Sequence, residues 1–310
     1  MSASIRDKAW AEVEDWNKQL YARELPVSLE HLAKSYSVVR LMRAPLFSSA
    51  GLRQPNRRKS EFVIVINSDK FKDGNEEETE IPLTDGELRD LEPTIRFSIA
   101  HEIAHVVFLK ASGKSARDAF FKSERTLDSL ESECNRMARA LLIPKATVIE
   151  RLGDRVFDAP HVRSLIERFR VWPGMFVWRL QMHDLDTSFK NHEGLIAYAE
   201  EDREGIFIRG ARVWGMKASA RYAQRPRGSH DKPGDDMSPI VGPQGLHLKD
   251  IAINADIHEV LRQGQEVEVE TSIPWHVNEK VPCVLSMAAI QQKPLKLLLA
   301  IKLTGEIIPA

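Results

Sequence analysis

The chain has 310 residues, with 44 Lys and Arg against 45 Asp and Glu, a formal net charge of -1, and 43% hydrophobic residues. That length predicts two folding units, and that composition excludes a wholly disordered or collagenous chain. The near-zero charge excludes an overall polyanion binder but leaves room for a local basic patch, and two cysteines, Cys134 and Cys283, exclude a disulfide framework and a four-cysteine zinc site.

Residues 5–20 read as an amphipathic helix, with Ile5, Trp10, Val13, Trp16 and Leu20 recurring at helical steps and no apolar core of a signal peptide. A short helix over Ser28–Tyr36 follows, with Ser28 as N-cap and Leu29, Leu32 and Ala33 turned inward. Ser37–Met42 is a strand candidate. The basic run Arg57-Arg58-Lys59 reads as a solvated hairpin tip leading into the strand Glu61–Asn67. Asp69–Leu91 is acidic and loop-like. Pro93 then opens a helix running to about Leu109, since its missing N–H is not needed in the first turn. A further helix spans about Asp128 to Leu142 and stops at Pro144. Two shorter ones, Val162–Phe169 and Met175–Met182, flank the turn at Trp172-Pro173-Gly174.

After Glu193 the texture changes to strands, expected at Gly194–Ala199, Gly205–Arg209, Glu266–Ile273, Cys283–Ala289 and Leu295–Leu303. A Pro-, Gly- and Ser-rich stretch, Arg225–Gly245, interrupts them. The domain boundary is placed near residues 184–193. No run of 18 apolar residues occurs, so no membrane partner is expected; with the cysteine usage, the reading is a soluble cytoplasmic protein.

The segment that carries chemistry is RFSIAHEIAHVVF, residues 96–108. On a helix, His101 and His105 stand about 40° apart around the axis and about 6 Å along it, so both imidazoles can converge on one ion. Zinc binds such nitrogens at about 2.0–2.1 Å. Glu102 points about 100° away from His101, suited to act on water rather than on the metal. This is the H-E-x-x-H arrangement of zinc peptidases. Ala100 and Ala104 leave room for approach, and Ile99, Ile103, Val106 and Val107 offer an apolar side for burial.

A catalytic zinc needs a third protein ligand and an open fourth position. The helix over residues 128–144 is its best source. Leu130, Cys134, Met137 and Leu141 make its apolar stripe, with Glu131 and Glu133 on opposite edges about 200° apart. Helical geometry alone does not choose between the two carboxylates.

The HEIAH helix followed by Glu131, Cys134, Asn135, Ala138, Leu141, Leu142 and Pro144 resembles the ImmA/IrrE family of bacterial metallopeptidases over roughly residues 25–185. Two separated motifs agree with that family in order and spacing. Cys134 stands where Ala is common and Met137 where Phe is common. The resemblance implies a zincin-like α+β metallopeptidase domain, a small sheet plus active-site helices, over residues 1–185. Its helix-turn-helix-like tail covers 162–183, and a mixed α+β, strand-rich domain of sensory or substrate-recruiting role follows at 194–310. It also selects Glu131 as the third ligand beside His101 and His105, with one Zn2+ per chain and Glu102 as the catalytic base. The acidic insertion at residues 69–92 departs from shorter members and reads as a surface loop, with a cover for the cleft as the alternative.

The expected activity is intracellular endopeptidase chemistry: water activated by zinc attacks a peptide carbonyl, and Glu102 takes the water's proton and passes it to the leaving amine. The resemblance implies a protein partner, a helix-turn-helix repressor whose cleavage induces stress, mobile-element or prophage genes. Asn135, one turn after Glu131, is a candidate support for the ligands. The strand Phe62, Val63, Ile64, Val65, Ile66 and Asn67 is a candidate edge against which an extended substrate pairs. The oxyanion-stabilising donor has no candidate. The competing class is a non-catalytic regulator or toxin–antitoxin component that binds DNA or protein through residues 162–183 and the basic stretch 209–232. The apolar second helix of 162–183 favours packing over groove reading. Seven further histidines, His161, His183, His192, His230, His247, His258 and His276, show no ligand spacing.

Overall fold

A computed structural model of the chain describes residues 3–19, 25–53, 61–71, 77–112, 124–180, 182, 185, 194–202, 205–214, 260–261, 263, 265–276, 279–292, 295–303 and 308–309. The basic runs 57–59 and 215–232, the stretch 225–245, and His183, His192, His230, His247 and His258 lie outside the described residues. The chain is mixed α+β and divides into two compact units, Met1–Thr147 with Arg168–Trp172, and Val148–Glu167 with Pro173–Ala310.

The first unit begins with α1 (Ala3–Gln19) and α2 (Leu29–Ser35). Ser28 caps α2 as its sequence position predicts: its Oγ accepts from the His31 amide at 3.0 Å, and Leu29, Leu32 and Ala33 are buried beneath. Four strands follow: β1 (Val38–Ala44), β2 (Ala50–Arg53), β3 (Phe62–Asn67) and β4 (Thr79–Ile81). They form one sheet in the order β2-β3-β1-β4, with β1 and β3 parallel and both outer strands antiparallel. Every residue of β3 is buried, which is what a run of β-branched side chains produces when both faces are covered.

That position corrects one expectation. Phe62, Val63, Ile64, Val65, Ile66 and Asn67 are not an edge for substrate pairing, because β1 and β2 already take the hydrogen bonds on both sides of the strand. The outer strands of this sheet are β2 and β4. The acidic segment also holds more structure than a loop. Ile81 is anchored opposite Leu41 in β4, and α3 (Asp85–Arg89) forms around the fully buried Leu88. A three-residue strand and a five-residue helix are too short to announce themselves by periodicity.

Next comes α4 (Pro93–Ser112), which starts on the proline as expected. It is apolar on almost every side, and such a helix must be enclosed. It packs against α1, α5 (Glu124–Leu142), β2 and β3. Ile99, Ala100, Ile103, Ala104, Val106, Val107 and Phe108 have no exposed surface. Each large side chain among them stabilises the fold by about 1.5–3 kcal/mol, which offsets the cost of enclosing polar groups on the same helix. The apolar stripe of α5 faces α4 as its spacing predicts, with Leu130, Cys134, Met137 and Leu141 all buried.

A helix beyond Pro144, α6 (Lys145–Leu152), leads from the first unit into the second. The second unit takes most of α7 (Ala159–Phe169), all of α8 (Pro173–Leu180), and the strands β5 (Gly194–Asp202), β6 (Gly205–Trp214), β7 (Glu266–His276), β8 (Glu279–Gln292), β9 (Leu295–Leu303) and β10 (Ile308–Pro309). Every pairing in this sheet is antiparallel, in the order β10-β8-β9-β5-β6 with β7 on β8. The five strands expected from alternation all occur, several of them longer at the ends.

Contacts place the change of unit at Val148, earlier than residues 184–193. The reason is how the intervening helices pack. Ser286 of β8 accepts the amide of Ala159 at 3.1 Å, Arg163 pairs with Glu266 at 2.8 Å, and α8 lies on β5 and β6. Within α8, Gly174, Met175, Phe176, Val177, Arg179 and Leu180 are buried. That leaves no polar exposed face of the kind a groove-reading helix needs. His161 has a structural role, its Nε2 bonding to the Arg151 carbonyl at 2.7 Å. Among the described residues no helix is long and apolar enough to cross a membrane.

Candidate metal centre

The centre forms where α4 and α5 face each other. His101 and His105 are one turn apart on α4, and their Nε2 atoms lie 3.1 Å from one another. Glu131, from the facing helix, brings Oε2 to 2.9 Å from His101 Nε2 and Oε1 to 3.2 Å from His105 Nε2. Ligand atoms about 2.0–2.1 Å from a tetrahedral zinc stand about 3.3 Å apart, and the separations of the two Nε2 atoms from each other and from the two Glu131 oxygens are of that size. The set fits zinc in donor chemistry and in geometry.

The outer nitrogens of the imidazoles are also committed. His101 Nδ1 lies 3.0 Å from Asn135 Oδ1, an acceptor for an Nδ1 proton; with a metal in place of the Nε2 hydrogen bond to Glu131, that contact would leave Nε2 its lone pair. His105 Nδ1 lies 3.4 Å from Cys134 Sγ. Burial pushes the Cys134 thiol up, and the charges of Glu131, Glu102 and Glu133 add to it.

Glu102, between the two histidines on α4, is buried. His101, Glu102 and His105 each offer one donor atom within 4.8 Å of the others, so they form a second conceivable ligand set. Glu131 reaches both imidazoles, at 2.9 and 3.2 Å. Burial raises the pKa of Glu102; His105 and His101 pull it back, and the charge of Glu131 adds to the rise. Hydrogen bonds from His101 and His105 hold the Glu131 carboxyl well below the usual carboxylate range. Burial opposes protonation of His105, but its hydrogen bond to Glu131 and the charges of Glu102 and Glu131 outweigh that and raise its pKa.

Of the two carboxylates that spacing left open, Glu131 is the one that lies against the imidazoles. Glu133 points the other way and ties α5 to α1: it accepts from Trp10 Nε1 at 3.0 Å and pairs with Arg6 at 2.8 Å and Arg136 at 3.3 Å. Two aromatic neighbours went unread in the sequence. The Phe97 ring lies 6.2 Å from that of His101, and Trp172 meets Phe97 edge-on at 5.1 Å. Phe97 was within reach of spacing arguments, four residues before His101 on the same helical face. Trp172 arrives from a turn far along the chain, and no local pattern marks it.

Residues 89–181 match the family model Peptidase_M78, the IrrE N-terminal-like domain. The matched segment carries His101, Glu102, His105, Glu131 and Asn135. No curated protein matches the chain. Among solved structures, a transcriptional regulator of Mycobacterium tuberculosis is similar at 15% identity and a TM-score of 0.47, over 96% of this chain and 79% of that one.

Proposed function

We propose, from the premise that residues 89–181 are an IrrE N-terminal-like domain of the peptidase type, that this chain is a zinc-dependent endopeptidase. The observation that carries the proposal is the convergence of His101, His105 and Glu131 at 2.9–3.2 Å, with Glu102 buried alongside. Zinc bound there supplies the Lewis acidity that peptide hydrolysis requires. His101 and His105 present neutral Nε2 lone pairs, with Asn135 orienting the first ring. Glu131 contributes the negative charge of the ligand set. Glu102, its pKa raised by burial, takes a proton from the attacking water at a carboxylate oxygen and returns it to the leaving amine. Phe97 flanks His101 with apolar surface, and Trp172 backs Phe97.

The proposed substrate is a helix-turn-helix transcriptional repressor, and the proposed outcome is induction of stress, mobile-element or prophage genes in the cytoplasm. The resemblance to ImmA/IrrE peptidases supports this substrate, and the buried Cys134, seated against His105 rather than in a disulfide, suits a reducing compartment. Glu102→Gln is the decisive variant. The purified variant is expected to keep wild-type zinc content while cleavage of a co-expressed repressor falls about 10²–10⁴-fold. Wild-type protein that binds no zinc, or a Gln variant that cleaves at the wild-type rate, overturns the proposal.

A further inference from the structure

Away from the metal centre, the first unit holds a cavity of about 410 Å³. Its wall is the segment Leu25–Leu29 together with Asp85, Arg89, Arg96 and Arg168, all within that unit. Arg96 lies on α4 one and a half turns before His101, and only 1% of it is exposed. Its Nη1 donates to the Leu88 carbonyl at 3.0 Å and its Nη2 to the Val27 carbonyl at 2.8 Å. Its Nε is buried with no partner.

None of the three arginines pairs with a carboxylate among the described residues. Arg96 bonds only to backbone carbonyls, Arg89 reaches the Leu25 carbonyl at 3.4 Å, and Arg168 lies exposed at the rim. Asp85, the acidic residue of the wall, already accepts from Ser28 Oγ at 2.5 Å. Burial, with the like charges of Arg170 and Arg89, lowers the pKa of Arg96 to about 10, and Asp85 only partly opposes this. A buried guanidinium without an anion carries a desolvation cost that carbonyl dipoles repay only in part. An entering anion would remove that deficit.

We infer that this cavity binds a small phosphate-bearing molecule, its phosphate held by the guanidinium groups of Arg96, Arg89 and Arg168. Three arginines against one committed aspartate leave an excess of two positive charges, which matches the −1.5 to −2 of a phosphate monoester at about pH 7 better than a single carboxylate. The guanidinium fork fits two phosphate oxygens at once, and the volume lies within the about 300–1,000 Å³ usual for small-molecule sites. This site does not depend on the peptidase reading.

The test is calorimetric titration of the full chain at fixed ionic strength with inorganic phosphate, glycerol phosphate and succinate. The comparison protein is the double variant Arg89→Gln/Arg168→Gln, whose two exposed side chains leave the buried Arg96 contacts in place. Wild type is expected to bind at least one phosphate probe at least tenfold more tightly than the double variant, with succinate weaker than that probe. The stronger of the two phosphate probes then identifies free phosphate or a phosphorylated metabolite as the source. Equal binding by wild type and variant, no binding by either, or a preference for succinate overturns the assignment.

Discussion

The two sides of α5 put the same side chain to different uses. On one side, Glu131 is half exposed and accepts from two imidazoles of α4 at 2.9 and 3.2 Å. On the other, two residues along, Glu133 is nearly enclosed and ties α5 to α1 through Trp10 and Arg6. Both are carboxylates on one helix, and each takes the role that its neighbouring helix brings to it. Glu131 meets two donors that share a focus with it, which is the condition for holding an ion. Glu133 meets an indole and two guanidinium groups, which are all hydrogen donors and leave no place for a metal.

Removing these groups one at a time separates the two sides. Glu131→Ala should cost the most in metal affinity, more than the about 10–100-fold typical of losing an outer hydrogen-bond partner. Zinc titration reads this, and unchanged affinity would dissolve the distinction between the two carboxylates. Asn135→Ala should fall within that 10–100-fold range, because His101 loses the acceptor that fixes its tautomer. Glu133→Ala should leave zinc binding untouched and lower stability by about 1–3 kcal/mol, with the Trp10 N–H left without its acceptor. A Glu133 variant that loses zinc would reverse the assignment.

A third carboxylate extends the comparison to a purely local role. Asp158 caps α7, accepting from the His161 amide at 2.9 Å while Arg155 pairs with it at 2.6 Å. Burial disfavours its charge, but the His161 amide and the Arg155 guanidinium outweigh that and lower its pKa. Because the folded-state pKa lies below the unfolded one, its stabilisation is present above the ordinary aspartate range of about 4 and is lost as pH falls through the folded value. Asp158→Ala should therefore cost about 1 kcal/mol in urea denaturation at neutral pH, and the gap from wild type should close in acid. A gap that persists below the folded pKa would show that the cap does not act through its charge.

Much of the centre was legible from the chain. His101 and His105 are brought together by the pitch of one helix, and Glu102 is set aside by the same rule. The strand candidates after Glu193 were equally local readings, and all five formed. Where the reading fell short, the missing information was non-local. Phe62–Asn67 has the sequence of a strand, but only the pairing order shows that both of its sides are taken. Residues 79–81 and 85–89 are too short for a periodic signal and hold their shape through β1 and the burial of Leu88. Residues 162–183 looked like a tail of the peptidase part, and their second helix, α8, lies on β5 and β6 instead.

By itself, then, the sequence determined the residues that periodicity places side by side: two imidazoles and a carboxylate on α4, and two carboxylates on the edges of α5. Only the tertiary structure brought Glu131 rather than Glu133 against the imidazoles, seated Cys134 and Asn135 beside them, and gathered Arg89, Arg96 and Arg168 around one cavity. The physical reason is range. Helical pitch acts over a few residues, whereas the partner of a charge is set by which elements pack together to bury apolar surface.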